Sequence, residues 1–360
     1  MIICKICVMD ESDTFITFDE VGVCSHCVKW HRDWGKKKTL EATFPELISQ
    51  IKARGRRGDF DAVLGMSGGA DSSYVYHLAK TNGIRVHPIH FDNGYDLPVS
   101  THNIRCLTDY YGDELEVIKV DGPAFSAMQL AFLKSGTTGL EVPTDHAVKA
   151  STYKTAARLG VTTILNGTNL ATESHGTIAW VRGHGDWRYI SGVARRFGVD
   201  PEAIPHYSFW GLLTWMREYD WVGLLNYVVY DREAAIREMT EKYGYMPYGF
   251  KHMESRITRF LHGYIIPRRF GFDTRRSRLS AMVCSGQVTR GEALALLASP
   301  SYPAEEMEED KLMFCKRLRI TLEEFEDYMG LPLRRYEDYP NMMNDPIQST
   351  IMKLHWRLRR

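Results

Sequence analysis

Asp61-Ala62-Val63-Leu64-Gly65-Met66-Ser67-Gly68-Gly69-Ala70-Asp71-Ser72-Ser73 is the stretch on which the reading of this chain turns. An apolar run enters a Ser-Gly-Gly-x-Asp-Ser turn, and sequence suited to a helix follows at once. Two adjacent glycines let the backbone pass close to a ligand with no Cβ in the way. The N-terminus of the following helix offers unpaired N–H groups and partial positive charge, which suits an anion. The stretch therefore reads as a phosphate cradle built from Ser67, Gly68, Gly69, Asp71, Ser72 and Ser73. No G-x-x-x-x-G-K-[ST] pattern is present, so the lysine-bearing P-loop is excluded. A carboxylate beside phosphates repels them unless a cation lies between, so Asp71 is expected to hold Mg²⁺ directly or through water. Capping the next helix is a compatible second role for it.

The lettering resembles the PP-loop of ATP pyrophosphatases, enzymes that split ATP into AMP and pyrophosphate to activate an oxygen. That resemblance implies an adenine nucleotide alpha hydrolase-like fold and ATP at the cradle. The surrounding pattern agrees with it. Strand-like runs at 62–66, 86–91, 115–120 and 162–165 alternate with helical stretches at 72–82, 99–111, 124–134 and 145–159. Alternation of this kind gives an α/β fold, a parallel sheet covered by helices on both faces with ligands beyond the carboxyl ends of its strands. Asp92 and Asn93 end the second strand, where this superfamily keeps its adenosine, although Asn-Gly is also a favoured turn. Asn166-Gly167-Thr168-Asn169 ends the fourth and is the kind of small polar cluster that closes over AMP. Lys149 and Lys154, on the helix after Pro143, are candidates for stabilising charge during adenylyl transfer, against the commoner outcome of surface lysines.

The chain has 360 residues, 44% hydrophobic and 25% charged, the composition of an ordinary globular protein of two or three units. No apolar run approaches the roughly 18 residues of a transmembrane helix, and no signal peptide is visible, so the expected location is the cytoplasm, with no membrane partner. Lys+Arg and Asp+Glu are both 45, so no global field attracts nucleic acid, and none is expected as a partner.

Four of the seven cysteines lie in the first 27 residues, as Cys4-x-x-Cys7 and Cys24-x-x-Cys27. Two such pairs read as a tetrahedral Cys4 site for structural Zn²⁺. Disulfides fit poorly in a reducing compartment. Neither pair opens a helix after a strand, as a redox motif does. His26 and His31 are near enough to compete, but four thiolates complete the shell. The expected organisation is a zinc ribbon over 1–35, a connecting helix and loop over 36–58, an ATP-binding domain over 59–187, and a mostly helical region over 188–360. Within the last, Trp210, Leu213, Trp215, Met216, Trp221, Leu224 and Tyr227 are expected to form a helical core. Residues 251–278 carry eight Lys/Arg interleaved with aromatics, and 305–310 is acidic.

The whole layout resembles the N-acetyl sugar amidotransferases of bacterial surface-polysaccharide biosynthesis. The match runs through 3–10, 67–73, Asp92-Asn93-Gly94, Glu141-Val142-Pro143-Thr144-Asp145-His146, 166–169 and Ile266-Pro267-Arg268-Arg269-Phe270-Gly271-Phe272-Asp273. It implies conversion of an acetamido group on a nucleotide-activated sugar to an acetamidino group. The route would be an O-adenylyl imidate attacked by ammonia from a separate glutaminase resembling that of imidazole glycerol phosphate synthase. Thr144, Asp145, Arg268, Arg269, Arg275 and Arg276 are then the expected sugar-nucleotide contacts, because arginine pairs bidentately with phosphate and carboxylate. A docking face for the glutaminase is the rival reading of those arginines. The rival activity is tRNA thiolation, which generally needs reactive cysteines near AMP. A scaffold with a degenerate ATP site is a third reading, and the intact cradle argues against it.

Overall fold

The computed structural model describes residues 2–249 and 253–358, so Lys251 of the basic segment lies outside the described residues. Its centre is a five-stranded sheet of β1 (Ala62–Gly65), β2 (Val86–Asp92), β3 (Glu116–Lys119), β4 (Thr163–Asn166) and β5 (Asp220–Gly223). The order is β3-β2-β1-β4-β5, and every pairing is parallel. β1 is apolar along its length because both of its faces are covered. Ala62 and Leu64 pack into one cluster and Val63 into another, the two-residue period of a strand. The chain moves outward from β1 through β2 and β3, then returns to the other side of β1 for β4. A crevice opens where the direction reverses, at the carboxyl ends.

Helices alternate with the strands up to β4. α1 (Ser25–Ala42) and α2 (Phe44–Gly55) precede the sheet, and α3 (Ala70–Thr81), α4 (Pro98–Tyr111), α5 (Gly122–Ser135) and α6 (Val142–Leu159) connect its strands. These agree with the expected stretches to within a few residues. α1 is the departure. It starts directly after Cys24 and runs through residue 35, so the ribbon's last cysteine already sits in a helix that continues toward the sheet.

After β4 come α7 (Leu170–Glu173), α8 (Trp187–Arg196) and α9 (Phe209–Glu218), then β5. The sheet thus draws a strand from beyond residue 187, where the sequence reading ends the ATP-binding unit. The helical core expected around 210–227 is broken at Tyr219. Trp221 lies on β5, paired with Ile164, and its indole donates to the Tyr153 hydroxyl at 2.5 Å. An aromatic run with helical spacing became a strand because the exposed edge of β4 accepts its backbone.

The rest is helical: α10 (Arg232–Tyr243), α11 (Arg256–Phe260), α12 (Ile266–Phe270), α13 (Arg275–Cys284), α14 (Arg290–Ala298), α15 (Ala304–Leu318), α16 (Leu322–Gly330) and α17 (Pro346–Leu358). A π-turn at Leu261–Ile265 joins α11 to α12. Pro267 follows it, and proline removes a helical donor and crowds the carbonyl four residues back, which a π-turn accommodates. The basic and acidic segments meet here. Arg256 and Arg259 pair with the fully buried Asp310 at 2.7 and 2.5 Å, and Arg259 also reaches Glu306 at 2.6 Å. Among the described residues, no helix is long and apolar enough to cross a membrane.

Candidate active site and metal centre

Helix α3 begins at Ala70 with Gly69 as its N-cap, so Asp71 lies inside the first turn rather than at the cap. Gly68 has φ +76°, and a Cβ there would stand 2.4 Å from the carbonyl oxygen of Ser100. The turn is pinned from outside. Ser100 Oγ donates to Ser67 O at 2.8 Å, and Asn103 and Tyr245 donate to Gly68 O at 3.3 and 3.2 Å. Tyr248 accepts the Ala70 N–H at 3.0 Å, and Ser67 Oγ donates to Glu254 at 3.4 Å. Tyr245, Tyr248 and Glu254 therefore lie against the cradle, although nothing in the local sequence announces that.

The cradle opens into a cleft of about 360 Å³ at the ends of β1, β2 and β4. Ser67, Gly69, Asp71, Ser72, Asn93, Thr144, Gly167 and Thr168 line it, as expected from sequence. Other candidates do not. Ser73 is fully buried beneath the helix. Asp92 accepts the Gly94 N–H at 2.8 Å, the turn role. Asn166 accepts the Thr168 N–H at 3.0 Å, and Asn169 caps α7 by accepting the Thr172 N–H at 2.8 Å. These three side chains shape the loops rather than the cleft wall. Lys149 and Lys154 also miss it, because helical periodicity turns Thr144, Val148, Ser151 and Thr152 of α6 inward instead.

Positive charge comes from elsewhere. Arg232, at the start of α10, is 5% exposed and lines the cleft. Its Nη1 pairs with Glu233 at 2.7 Å, while its buried Nη2 has no hydrogen-bond partner among the described residues. Arg278 of α13 lies close enough to Arg232 and Asp71 to feel both charges. Burial first, then Arg232, lowers its pKa to about 10. The Asp71 carboxylate accepts a hydrogen bond from Tyr230, whose pKa is driven up by burial and by that carboxylate. Sequence inspection had no means of finding Arg232, which lies more than 150 positions from the cradle in an undistinguished helix; Arg278 was counted in the basic segment 251–278 but not picked out as a contact. His90 lines the cleft too. Burial opposes its charge most, but Asp96 at 2.9 Å, the Met66 carbonyl and Asp92 together outweigh that and raise its pKa.

A second cavity of about 460 Å³ adjoins the cleft, and Glu173 lines both. Its wall includes Trp180, His262, Thr274, Arg275, Ser277 and Arg278. Of the four arginines expected to meet the sugar nucleotide, only Arg275 is here, and it is held by Asp273 at 2.7 Å. Arg268 is at the surface with Glu326 at 3.0 Å, and Arg269 donates to Leu133 O at 2.6 Å. Arg276 clamps the ribbon through Asp10 at 2.8 Å and Val8 O at 2.7 Å. Asp145 lines neither space and pairs at 2.7 Å with His184, which lines the second cavity.

The four ribbon cysteines are buried free thiols that converge on one point. Sγ separations of 3.8 Å (Cys4–Cys27) and 3.7 Å (Cys7–Cys24) match the roughly 3.8 Å between sulfurs bound at about 2.3 Å to tetrahedral zinc. The Cys24 N–H points to Cys4 Sγ at 3.3 Å and the Met9 N–H to Cys7 Sγ at 3.5 Å, as metal knuckles require. The donor set fits Zn²⁺. His26 is committed to Asp13 at 2.6 Å, and His31 is exposed. The ribbon does not hang free. Arg290 of α14 donates to the carbonyls of Cys4 and Cys7 at 2.9 and 3.1 Å, and Trp180 donates to Ser12 O at 3.1 Å.

The same helices that hold the ribbon also close the second cavity, and they carry the sequence likeness that can be assigned. Residues 254–354 match the family model "LPS biosynthesis protein WbpG-like, C-terminal domain". The WbpG-like segment thus begins at Glu254, beside the cradle, and takes in Arg275, Arg278 and the ribbon clamp. No curated protein matches the chain. Among solved structures, it is similar to an NMN synthetase from Francisella tularensis at 12% identity and a TM-score of 0.35, covering 83% of this chain and 98% of that one. An NH3-dependent NAD synthetase from Campylobacter jejuni, in complex with the nitrate ion, is similar at 16% identity and a TM-score of 0.30, covering 60% and 99%. Likenesses this distant add nothing to the description of the site.

Proposed function

We propose that the protein is an ATP-dependent amidotransferase of surface-polysaccharide biosynthesis, converting an acetamido group of a nucleotide-activated sugar to an acetamidino group. The observation that carries this reading is a Ser-Gly-Gly-x-Asp-Ser cradle covered by a WbpG-like segment, which joins a site for nucleotide phosphates to a lipopolysaccharide-biosynthesis module.

An amide carbonyl is a poor electrophile and its oxygen a poor leaving group. Transfer of AMP to that oxygen, with loss of pyrophosphate, gives an O-adenylyl imidate. Ammonia then adds to the carbon and expels AMP. In this reading Ser67, Ser72 and the first turn of α3, with Arg232, meet the phosphates, Asn93 and Thr168 flank the adenosine, and Arg278 sits where charge develops on pyrophosphate. Mg²⁺ would be held by Asp71 and Glu254 and would offset phosphate charge. The acceptor enters through the second cavity, where Arg278, Thr274 and Ser277 supply donors for a phosphate or carboxylate, while Arg275 is committed to Asp273 and the carbonyls of Leu296, Leu297 and Ser299. Thr144 then faces it from the cleft side. Ammonia comes from a separate glutaminase. Arg268 pairs with Glu326 at the surface, where such a partner could reach it, whereas Arg269 and Arg276 are consumed internally.

For tRNA thiolation, no cysteine is among the described residues lining the cleft. Cys106 donates to Asn103 O within α4, and burial raises its pKa to about 11, which suits a packed thiol rather than a nucleophile. Incubation with ATP, Mg²⁺, ammonium and a panel of nucleotide-activated acetamido sugars tests the proposal. Expected is AMP together with a sugar product lighter by about one mass unit, since O is replaced by NH. Sulfur incorporation into tRNA, or AMP formation that no acetamido sugar stimulates, overturns it.

A further inference from the structure

The ribbon thiolates do not stand alone. Cys284, the last residue of α13, places its Sγ 3.7 Å from Cys27 Sγ and 3.6 Å from His175 Nε2, and that nitrogen is 4.0 Å from Cys27 Sγ. His175 is fully buried, just beyond α7, and its Nδ1 lies 3.0 Å from Ser174 Oγ, which leaves Nε2 directed at the sulfurs. Cys27, His175 and Cys284 therefore converge as a second set of donors, sharing Cys27 with the Cys4 cluster.

Two of the three separations are those that a shared tetrahedral ion requires. Around a tetrahedral zinc, two thiolates stand about 3.8 Å apart, and a thiolate and an imidazole nitrogen about 3.6 Å. The Cys27–Cys284 and Cys284–His175 separations meet those values as well as the ribbon's own pairs do. Six donors on three separate pieces of chain exceed the four positions of one zinc. A bridging thiolate resolves the excess.

We propose that this protein holds a two-zinc centre, with the Cys27 thiolate bridging an ion bound by Cys4, Cys7 and Cys24 to a second bound by His175 and Cys284. The second ion has three protein ligands, so its fourth position takes water. It would tie together the ribbon, the WbpG-like helix α13 and the segment following β4 that forms one rim of the cleft. Ser285 Oγ already donates to Ala171 O across that junction at 2.9 Å.

Metal analysis of the full-length protein after gel filtration tests this independently of any activity, so failure of the proposed reaction leaves it standing. About two zinc ions per chain are expected for the native protein and for Cys106→Ser, and about one for Cys284→Ser and for His175→Gln. One zinc in the native protein would make Cys284 and His175 mere neighbours of a single ion and overturns the proposal. So does a Cys284→Ser protein that keeps two, or iron with acid-labile sulfide in place of zinc. If the variants are insoluble, cobalt(II) titration of the zinc-stripped native protein decides. Thiolate-to-cobalt absorption still rising through a second equivalent supports the bridged centre, and saturation at one equivalent overturns it.

Discussion

Replacing Gly68 by alanine should damage the fold and the nucleotide site together, whereas the same change at Gly69 should damage only the site. At Gly68 the backbone has φ +76°, a conformation that costs an L-residue about 1–2 kcal/mol. The new Cβ would also meet Ser100 O at 2.4 Å and Ser100 Cα at 2.7 Å. Those are backbone atoms of α4, which cannot rotate away, so the turn and the helix must part by about 1 Å at a cost of about 1–3 kcal/mol. The sum, about 2–5 kcal/mol, is a large share of a typical 5–15 kcal/mol and should lower Tm by about 3–7 °C. Gly69 differs. Its φ is −73°, and its Cβ would meet the side-chain ends of Glu254 at 2.7 Å and of Ser67 and Tyr248 at 3.0 Å. Those ends can move, so Tm should fall by less than about 2 °C, while ATP loses close access to the backbone and its affinity drops by at least about tenfold. Thermal melts and calorimetric titration with a non-hydrolysable ATP analogue read both effects. A Gly68→Ala protein that melts like wild type would refute the argument, as would a Gly69→Ala protein with normal nucleotide affinity.

Asp71→Asn should leave the circular dichroism spectrum intact while slowing AMP release by at least about 10²-fold, the scale for removing an electrostatic stabiliser; near-normal turnover would reduce Asp71 to a partner of Tyr230. Arg232→Gln should raise the ATP KM by about tenfold or more, because its buried Nη2 has no hydrogen-bond partner among the described residues. An unchanged KM would leave Arg232 a structural residue. His146 predicts a pH dependence. Burial lowers its pKa to about 3, and as a neutral ring its Nδ1–H donates to His184 O at 2.9 Å while Nε2 accepts the Tyr207 N–H at 3.3 Å. The unfolded chain binds a proton below about pH 6.5 and the folded chain does not, so this residue's contribution falls as pH drops, by about 2 kcal/mol between pH 6.5 and 5. Denaturant melts should show His146→Asn with a shallower loss over that range. A slope equal to wild type's would place the sensitivity elsewhere.

Four parallel strands, their connecting helices and the cradle were legible in sequence because each rests on local pattern: apolar runs of strand length, amphipathic helices, and a Gly-Gly turn between them. The convergence of the four ribbon cysteines was legible for the same reason, since spacing alone brings Cys4, Cys7, Cys24 and Cys27 together. What sequence could not supply were the consequences of packing. Trp221 has helical spacing yet forms an edge strand, because the open side of β4 supplies hydrogen bonds that no local signal announces. The arginines show the limit most clearly. A dense basic segment suggests an anion site, but its Arg268, Arg269 and Arg276 turn to Glu326, Leu133 and Asp10, while Arg278 of that segment and the isolated Arg232 lie beside Asp71. Charge count along a chain says how much positive charge exists. Which guanidinium meets a ligand depends on which ones the fold leaves without an internal acceptor. In the same way, a cysteine and a histidine 109 positions apart become neighbours only when α13 packs on the segment after β4. Composition and spacing determined the sheet, the cradle and the ribbon. Long-range packing alone decided which charges face the cleft and which further donors converge beside the ribbon cysteines.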